Sequence, residues 1–380
     1  MSAFSSAELL GFRATGDSLA LRIKQIDDGP RIAREFVAVE RRVYGAEVST
    51  ESRIAGGVLR REYVGRQLAM IAELDGVPVA RLLARQPIDE PGNGRYGTLS
   101  FFESIDDRQV ARAILGKGVS WLHGLGVDEV LGPMEGDTWH RYRLNTGPHL
   151  DQPFFMEPTN PEYYPRLWSE SGFQPIETYH SRCLDDVAPV AEKFAKIHER
   201  TAERGYELQP FDLGRFDLEL KRLHRLSLTI FSQNRLYSPI GFDEFHALYA
   251  PVRSLIDPRL VWFATAEGGE DVGFLFAVHD YQSAVASMGG RDHLLAKLLF
   301  LINKRKADAI NLKSMGVVPG HRRSGVGVAL VCQVYRRMME MGYRRANLCL
   351  IHDENPSARL DGGLGRVMRR YALYRHEQTG

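Results

Sequence analysis

The chain predicts an α/β fold of the mixed-sheet (α+β) kind, built as two tandem copies of one unit, each a twisted mixed β-sheet flanked by helices. Three observations predict it. The segments "AMIAELDGVPVARLLA", from Ala69, and "VWFATAEGGEDVGFLFA", from Val261, each read as an apolar strand, a tight turn containing glycine, and a second apolar strand. Each is followed by a strand, an amphipathic helix ending near glycine, and another strand. These are "TLSFFESI", "DRQVARAILGKGVSWLHGLG" and "DEVLGPM" in the first copy, and "AINLKSMGVV", "GVALVCQVYRRMMEMG" and "ANLCLIH" in the second. A strand–helix–strand crossover makes parallel neighbours, so hairpin plus crossover gives a mixed sheet. Third, "VAPVAEKFAKIHERTAERG" reads as a helix joining the copies. The expected division is residues 1–186, a linking helix at 187–205, and residues 206–380.

Length and composition agree with two globular domains: 380 residues, 44% apolar and 26% charged. There is no run of about 18 apolar residues, and "MSAFSSAELLGFRATGDS" lacks a basic segment followed by an apolar one. A cytoplasmic protein with no membrane partner is expected. Cys183, Cys332 and Cys349 are widely spaced, which argues against a disulfide framework or a zinc site, and no metal is expected. The net charge of +1 is uneven. Residues 301–380 hold 15 Lys/Arg against 6 Asp/Glu, a balance of +9, which leaves −8 for the rest. That basic quarter suits a polyanion. The aromatic-interleaved signatures of RNA binding are absent, so a small polyanion is favoured over nucleic acid.

The turn "GHRRSGVGVAL", from Gly320, leaves a strand and enters a helix, the setting in which bare amides bind phosphate. It fails as a P-loop, because Val326 and Gly327 stand where Lys and Ser/Thr would follow Gly325. It fits the dinucleotide fingerprint poorly, because Leu330 takes the place of the third glycine.

The pattern Val317-x-Pro319-x-x-Arg322-x-x-Gly325-x-Gly327 resembles the acyl-coenzyme-A site of the GNAT acetyltransferase superfamily, and the whole chain resembles tandem GNAT-like proteins. The resemblance implies a pyrophosphate held by consecutive amides of Arg323, Ser324, Gly325, Val326, Gly327 and Val328, with charge from Arg322 and Arg323. It implies pantetheine lying between two strands splayed near a bulge, bonded by the backbone from Met315 to Val317, with Asn355 beside the cofactor. The co-substrate is then acyl-CoA, acetyl-CoA above all, and the acyl group passes directly to a small-molecule or peptide amine in a ternary complex. An acyl carrier protein, which also presents pantetheine, is an alternative donor.

The first copy lacks the turn. Where the second has "VVPGHRRSGVG" it has "ESIDDRQVA", so Asp106 and Asp107 face the helix start, where they cap it and repel phosphate. It keeps "NPEYYPRLWSESGF", an Asn followed by an aromatic-rich helix. The expectation is one live copy and one that packs, shapes the cleft or supports a homodimer. The live copy departs too, with Gly362 and Gly363 where the family places a tyrosine acid. Tyr371 and Tyr374 recur on the next strand, facing opposite sides, and Tyr374 is the favoured acid. His352 and Glu354 are the candidates for proton removal, Glu354 through water. Asn234 and Tyr237, in the segment after "LTIFSQ", and Trp139, in "DTWHRYR", are expected to line the acceptor pocket. Two rivals remain on the same fold: a non-catalytic acyl-CoA-binding or scaffold protein, and a decarboxylase or hydrolase acting on the thioester alone.

Overall fold

The computed structural model of the chain describes residues 20–26, 29–45, 65–87, 96–149, 152–289 and 293–377. The N-terminal half runs β1 (Leu21–Ile26), α1 (Gly29–Tyr44), β2 (Gly65–Leu74), β3 (Val77–Pro87), β4 (Tyr96–Ser104), α2 (Arg108–Gly124), β5 (Glu129–Gly132), β6 (Leu144–Gly147), α3 (Tyr164–Glu170) and β7 (Gln174–Leu184). Helix α4 (Ala188–Glu203) follows. The C-terminal half runs β8 (Glu207–Pro210), α5 (Phe216–Phe231), α6 (Phe242–Tyr249), β9 (Val261–Thr265), β10 (Asp271–His279), α7 (Gln282–Ala286), α8 (Leu294–Asn303), β11 (Ala309–Val317), α9 (Val326–Glu340), β12 (Arg345–His352) and β13 (Arg366–Glu377).

Both hairpins and both crossovers expected from the sequence are present. β2–β3–β4 and β9–β10–β11 are antiparallel, and β4–β5 and β11–β12 are parallel. Helix α2 shows why the crossovers fold. Val110, Ala111, Ile114, Leu115, Val119 and Leu122 recur on one buried face, and Asp107 caps the start by accepting from Gln109 N at 2.8 Å and Val110 N at 3.1 Å. The matching helix α9 buries Ala329, Leu330, Val334 and Met338. No helix among the described residues is long and apolar enough to cross a membrane.

Among the described residues, thirteen strands form one sheet in the order β1-β2-β3-β4-β5-β13-β7-β12-β11-β10-β9-β8, with β6 also pairing β13. The order contains an exchange. β5 of the first half takes β13 of the second as its neighbour, and β12 of the second takes β7 of the first. β7 and β13 then pair with each other, from Arg366↔Cys183 to Arg375↔Gln174. The segment expected to link the halves contains α4, which packs its Val190, Ala191 and Phe194 into the core of the second half beside α9.

The first half is pinned by a buried polar network. Arg81 is fully buried, with Nη2 at 2.8 Å from Glu40 and 3.4 Å from Glu103, Nη1 donating to Phe36 O at 2.6 Å and Nε to Phe101 O at 3.1 Å. It joins α1, β3 and β4. Replacing it with Leu strands two buried carboxylates, and removing one partner of such a network costs about 3–5 kcal/mol. Arg81→Leu should therefore lower the unfolding free energy by that amount, read from a reduced urea midpoint at unchanged slope. A loss under about 1 kcal/mol would show that this network does not anchor the first half.

Candidate active site

Strands β11 and β12 pair only from Ala309↔Arg345 to Leu312↔Leu348. At the next residue, Lys313, the register of β11 against β10 slips, because Leu312 faces Ala277 while Ser314 faces Phe276. β12 slips against β7 between Leu348 and Ile351. Bulges bend the strands that carry them, so the two part here and leave Lys313, Ser314, Met315 and Gly316 half-buried along an open edge. Val318 N–H donates to Val272 O at 2.9 Å. Bonded and non-bonded pairs alternate in an antiparallel ladder, so the bonded pairs are Gly316–Phe274 and Ser314–Phe276. The N–H and C=O of Met315 and Val317 therefore turn away from β10, toward the parted β12. This is the splayed, bulged strand pair that the family resemblance implied.

The glycine turn closes one end of that opening. A short 3-10 turn, Pro319–His321, leads to Gly325, whose φ of +96° is left-handed and which directly precedes α9. A Cβ at Gly325 would lie 3.0 Å from Thr201 Oγ1 and 3.1 Å from Ile197 Cγ2, both on α4, so glycine is required by conformation and by space. In the first turn of α9, Val326 N–H reaches Ser324 Oγ at 3.3 Å and Ala329 N–H reaches Gly325 O at 3.0 Å, while Gly327 and Val328 present their amides at the helix start. Arg323 is exposed and makes no ion pair among the described residues. Arg204, which ends α4, donates to Ser324 O at 3.2 Å and adds a cation that the sequence did not flag.

Arg322 also has a structural task that the sequence did not show, for its guanidinium donates to the neutral oxygens Ile230 O at 3.3 Å, Gln233 Oε1 at 3.2 Å and Val317 O at 3.4 Å. It ties the turn to the end of α5, whose Ile230 packs so closely that a Cβ at Gly316 would collide with its Cγ2.

The first half carries the same geometry, filled. Ile105 N–H donates to Val79 O at 3.1 Å, the counterpart of Val318 and Val272, which makes Ser104 the counterpart of Val317. Ser104 N–H donates to Tyr164 Oη at 3.0 Å, and Tyr163 Oη donates to Ser104 O at 2.8 Å. Tyr164 Oη in turn donates to Glu103 Oε2 at 2.6 Å. Burial, reinforced by Glu103, holds the Tyr164 hydroxyl far above its usual range, so it stays a donor. Trp168 takes the remaining room, with its ring where a Cβ on Gly132 would stand. Asp107 caps the helix start and Asp106 pairs with Arg166. The first copy's slot is thus closed by its own tyrosines.

Around the open slot the walls come from both halves. Past the end of the β11–β12 pairing, His352 Nε2 donates to Glu177 Oε2 at 2.6 Å, while its Nδ1 accepts from Glu354 N–H at 3.2 Å, which assigns the tautomer. Arg235 holds Glu177 Oε1 at 3.2 Å. Tyr179 packs on His352 at 5.0 Å, and the Arg143 guanidinium lies between the Tyr142 and Tyr179 rings at 3.8 and 3.9 Å. Glu177 and Tyr179 sit on β7, and no local sequence signal places them here. Trp139 donates Nε1–H to Ser238 O at 2.7 Å, with its ring against Phe231, Tyr237 and Phe245 at 5.8 to 6.3 Å. Trp139 and Tyr237 therefore meet across the halves. Asn234 is exposed, and among the described residues only its backbone is bonded, to Phe231 O at 2.9 Å and Tyr237 N at 3.1 Å.

The two tyrosine candidates lie apart. Tyr374 packs on Trp168 at 6.0 Å, within the core of the first half, and does not face the slot beside β11. Tyr371 is buried on the other side of β13, where its hydroxyl donates to Glu157 and lies 3.1 Å from Ser181 Oγ. Burial and then Glu157 drive it far above its usual range, so it is a structural donor at this site. Glu354 exposes its carboxylate, and Asn355 Oδ1 accepts from Ser357 N at 3.0 Å, capping the next turn. Burial pushes the Cys349 thiol up to about 12 and raises Cys332 as well, which removes both as nucleophiles. Asp137, His140 and Glu244 bring ligand atoms within 4.8 Å of one another, a spacing that would suit a cation. His140 Nδ1 lies 2.7 Å from Asp137 Oδ1, and Asp137 also caps Trp139 N at 2.8 Å, so the group serves as a joint between the loop and α6.

Comparison with known proteins agrees with this geometry. Residues 220–360 match the model of the acetyltransferase (GNAT) family. The chain is 24% identical over 296 residues to a bacterial ceramide synthase of Caulobacter vibrioides (strain NA1000 / CB15N), covering 75% of this chain and 76% of that protein. Its fold matches a tandem GNAT protein from the clavulanic acid biosynthesis pathway with a TM-score of 0.53 at 10% identity, over 95% of this chain and 99% of that one. It also matches a structure with a glucosamine N-acetyltransferase region in a fungal multi-domain GH3 beta-N-acetylglucosaminidase, with a TM-score of 0.51 at 13% identity. That match covers 96% of this chain and 39% of the fungal one, so the chain spans well under half of that protein. The chain thus carries a domain of the GNAT acetyltransferase family in its C-terminal half, on the fold of tandem GNAT proteins.

Proposed function

We propose that the C-terminal half transfers an acyl group from a pantetheine thioester, carried by coenzyme A, to the amine of an apolar acceptor. The observation that carries this reading is the contrast between twins. The strand-end N–H that a tyrosine oxygen meets in the first half faces an open slot in the second, at the end of which stands an amide-rich helix start. A phosphate at that start gains from the amides of Gly327 and Val328, the helix dipole and the charge of Arg323. The pantetheine then runs along β11 as an added strand, passing Val317 before Met315. Its thioester end, farthest from the phosphate, meets Met315 N–H.

Attack by a neutral amine on the thioester carbonyl forms the new C–N bond and puts negative charge on the oxygen, where Met315 N–H donates. Collapse breaks the C–S bond, releases the thiolate and leaves the amide, and the amine's proton departs through water toward the His352–Glu177 pair. The relative's name directs the choice of acceptor. A ceramide is the amide of a long-chain amino alcohol, and the aromatic wall of Trp139, Phe231 and Tyr237 suits a long apolar chain better than a peptide.

Calorimetric titration with CoA, followed by turnover assays of acyl-CoA with a long-chain amino alcohol, tests the reading directly. One site per chain and amide product are expected. Binding without transfer to any amine would favour the non-catalytic rival, and no binding would discard the pyrophosphate assignment. The two arginines should separate in this assay. Arg323→Ala is expected to weaken CoA severalfold, less so at high salt, with Tm unchanged. Arg322→Ala should instead lower Tm by a few degrees through its lost hydrogen bonds.

The Met315 amide has its own test. Met315→Pro deletes that N–H without breaking a β10 bond, and Met315→Ala controls for the side chain. Loss of a single oxyanion donor costs about 100- to 1000-fold in kcat. A proline variant as active as the alanine control would move the oxyanion contact elsewhere.

A further inference from the structure

Helix α8, "LLAKLLFLIN", is apolar around most of its girth yet lies on the surface. Leu294 is 85% exposed, and Leu295, Leu298, Leu299, Leu301 and Ile302 range from 46% to 69%. A helix apolar on this scale is normally buried. At 3.6 residues per turn, the six aliphatics fall within about 160° of arc. Ala296, which is buried, and Phe300, which packs on Tyr281 at 5.8 Å, lie on the opposite side and hold the helix to the protein. The face is therefore presented outward by its own anchors.

Its borders are basic. Lys297 lies beside the apolar arc, and Lys304, Arg305 and Lys306 follow directly in a 3-10 turn. No Asp or Glu occurs from residue 293 to 307. Lys304, Arg305 and Lys306 form no ion pair among the described residues. A protein partner's interface core is typically aromatic and poor in lysine, whereas leucines bordered by lysine and arginine complement the acyl boundary and anionic headgroups of a bilayer. Ten residues make about 15 Å of helix, half a hydrocarbon core, so the helix would lie in the interface rather than cross it.

We propose that α8 docks the protein on an anionic membrane surface, with the leucine face in the headgroup–acyl boundary and Lys297, Lys304, Arg305 and Lys306 on the lipid phosphates. The dock is joined to the candidate active site. Tyr281 packs on Phe155 at 5.8 Å, Phe155 N–H donates to Asp280 Oδ1 at 2.8 Å, and Phe155 and Trp139 both pack against one apolar cluster of aromatic and aliphatic side chains. A packed apolar path thus runs from α8 toward the acceptor wall. Docking through this face is independent of the reaction.

Flotation of the full chain with equimolar phosphatidylglycerol–phosphatidylcholine vesicles, and with phosphatidylcholine alone, tests it without turnover. Binding to the anionic vesicles that falls with salt is expected, with weak binding to the neutral ones. Each basic residue near the surface contributes about fivefold, so Lys304→Gln with Arg305→Gln and Lys306→Gln should reduce partitioning roughly 100-fold. Leu298→Glu with Ile302→Glu should reduce it at least as far. These positions are on the surface and outside the proposed site, so CoA binding verifies folding of each variant. Absence of vesicle binding, or variants that bind like the parent, would overturn the proposal. So would a dimer in sedimentation that Leu298→Glu with Ile302→Glu dissociates, since a second copy would then cover the face.

Discussion

Strands β7 and β13 run antiparallel through most of their length, and the rest of the molecule depends on that pairing. Each is the last strand of its half, and each lies on the far side of the seam from its own parallel pair. β13 completes the first half beside β5, and β7 completes the second beside β12. Ala372 and Tyr374 enter the first core with Trp168 and Phe173, while Leu184 enters the second with Leu348 and Val331. Neither half closes its core from its own residues. The first copy thus supports the second mechanically: without β7 there is no edge for β12, and no Glu177 or Tyr179 beside His352.

The two slots show how one backbone geometry has two outcomes. In both halves the last strand of the hairpin unit bulges and parts from the strand beyond, which turns N–H and C=O groups toward a gap. Buried backbone groups must find partners. In the first half Tyr163 and Tyr164 supply them, on a helix that follows β6. In the second half the segment after β12 is a 3-10 turn, Pro356–Asp361, which brings no tyrosine to the gap. There, among the described residues, the Val317 carbonyl meets only the Arg322 guanidinium, at 3.4 Å, and the N–H groups of Val317 and Met315 still face the slot. The ligand that matches two amides two residues apart on a strand is another extended chain carrying amides.

Much of this is legible in the sequence, because it is local. The hairpins show as apolar runs around glycine, the crossovers as period-3.6 helices, and the glycine turn as a spacing. Asp107 is recognisable as a cap and as a phosphate's opponent. Strand exchange is not legible, because the choice of neighbour for β7 and β13 is made by tertiary packing. That is why Tyr374 reads as available beside the second slot and instead packs in the first core. The tie between Arg322 and α5 is hidden for the same reason, since nothing in the sequence says that the end of α5 lies within its reach. Helix α8 gives no surface signal, because a leucine-rich run of ten residues is too short to span a bilayer and reads as core.

The floor of the open slot shows how far the first half controls the second. The bulge residue Lys313 is turned inward, its ammonium 4.9 Å over the Phe154 ring and donating to Met156 O at 3.2 Å. Beside it Glu157 takes Arg369 Nε at 2.7 Å and the Tyr371 hydroxyl, and holds its own loop through Phe154 N–H at 2.9 Å. Burial lowers the pKa of Lys313 and raises that of Glu157, so both charged forms are disfavoured by the place they occupy. Such groups persist where each is bound by several partners. The loop from Phe154 to Glu157, a first-half element, is thereby fixed against the point where β11 departs from β12. Where the slot begins is decided by β11, and the residue at which it begins is held by a loop of the first half.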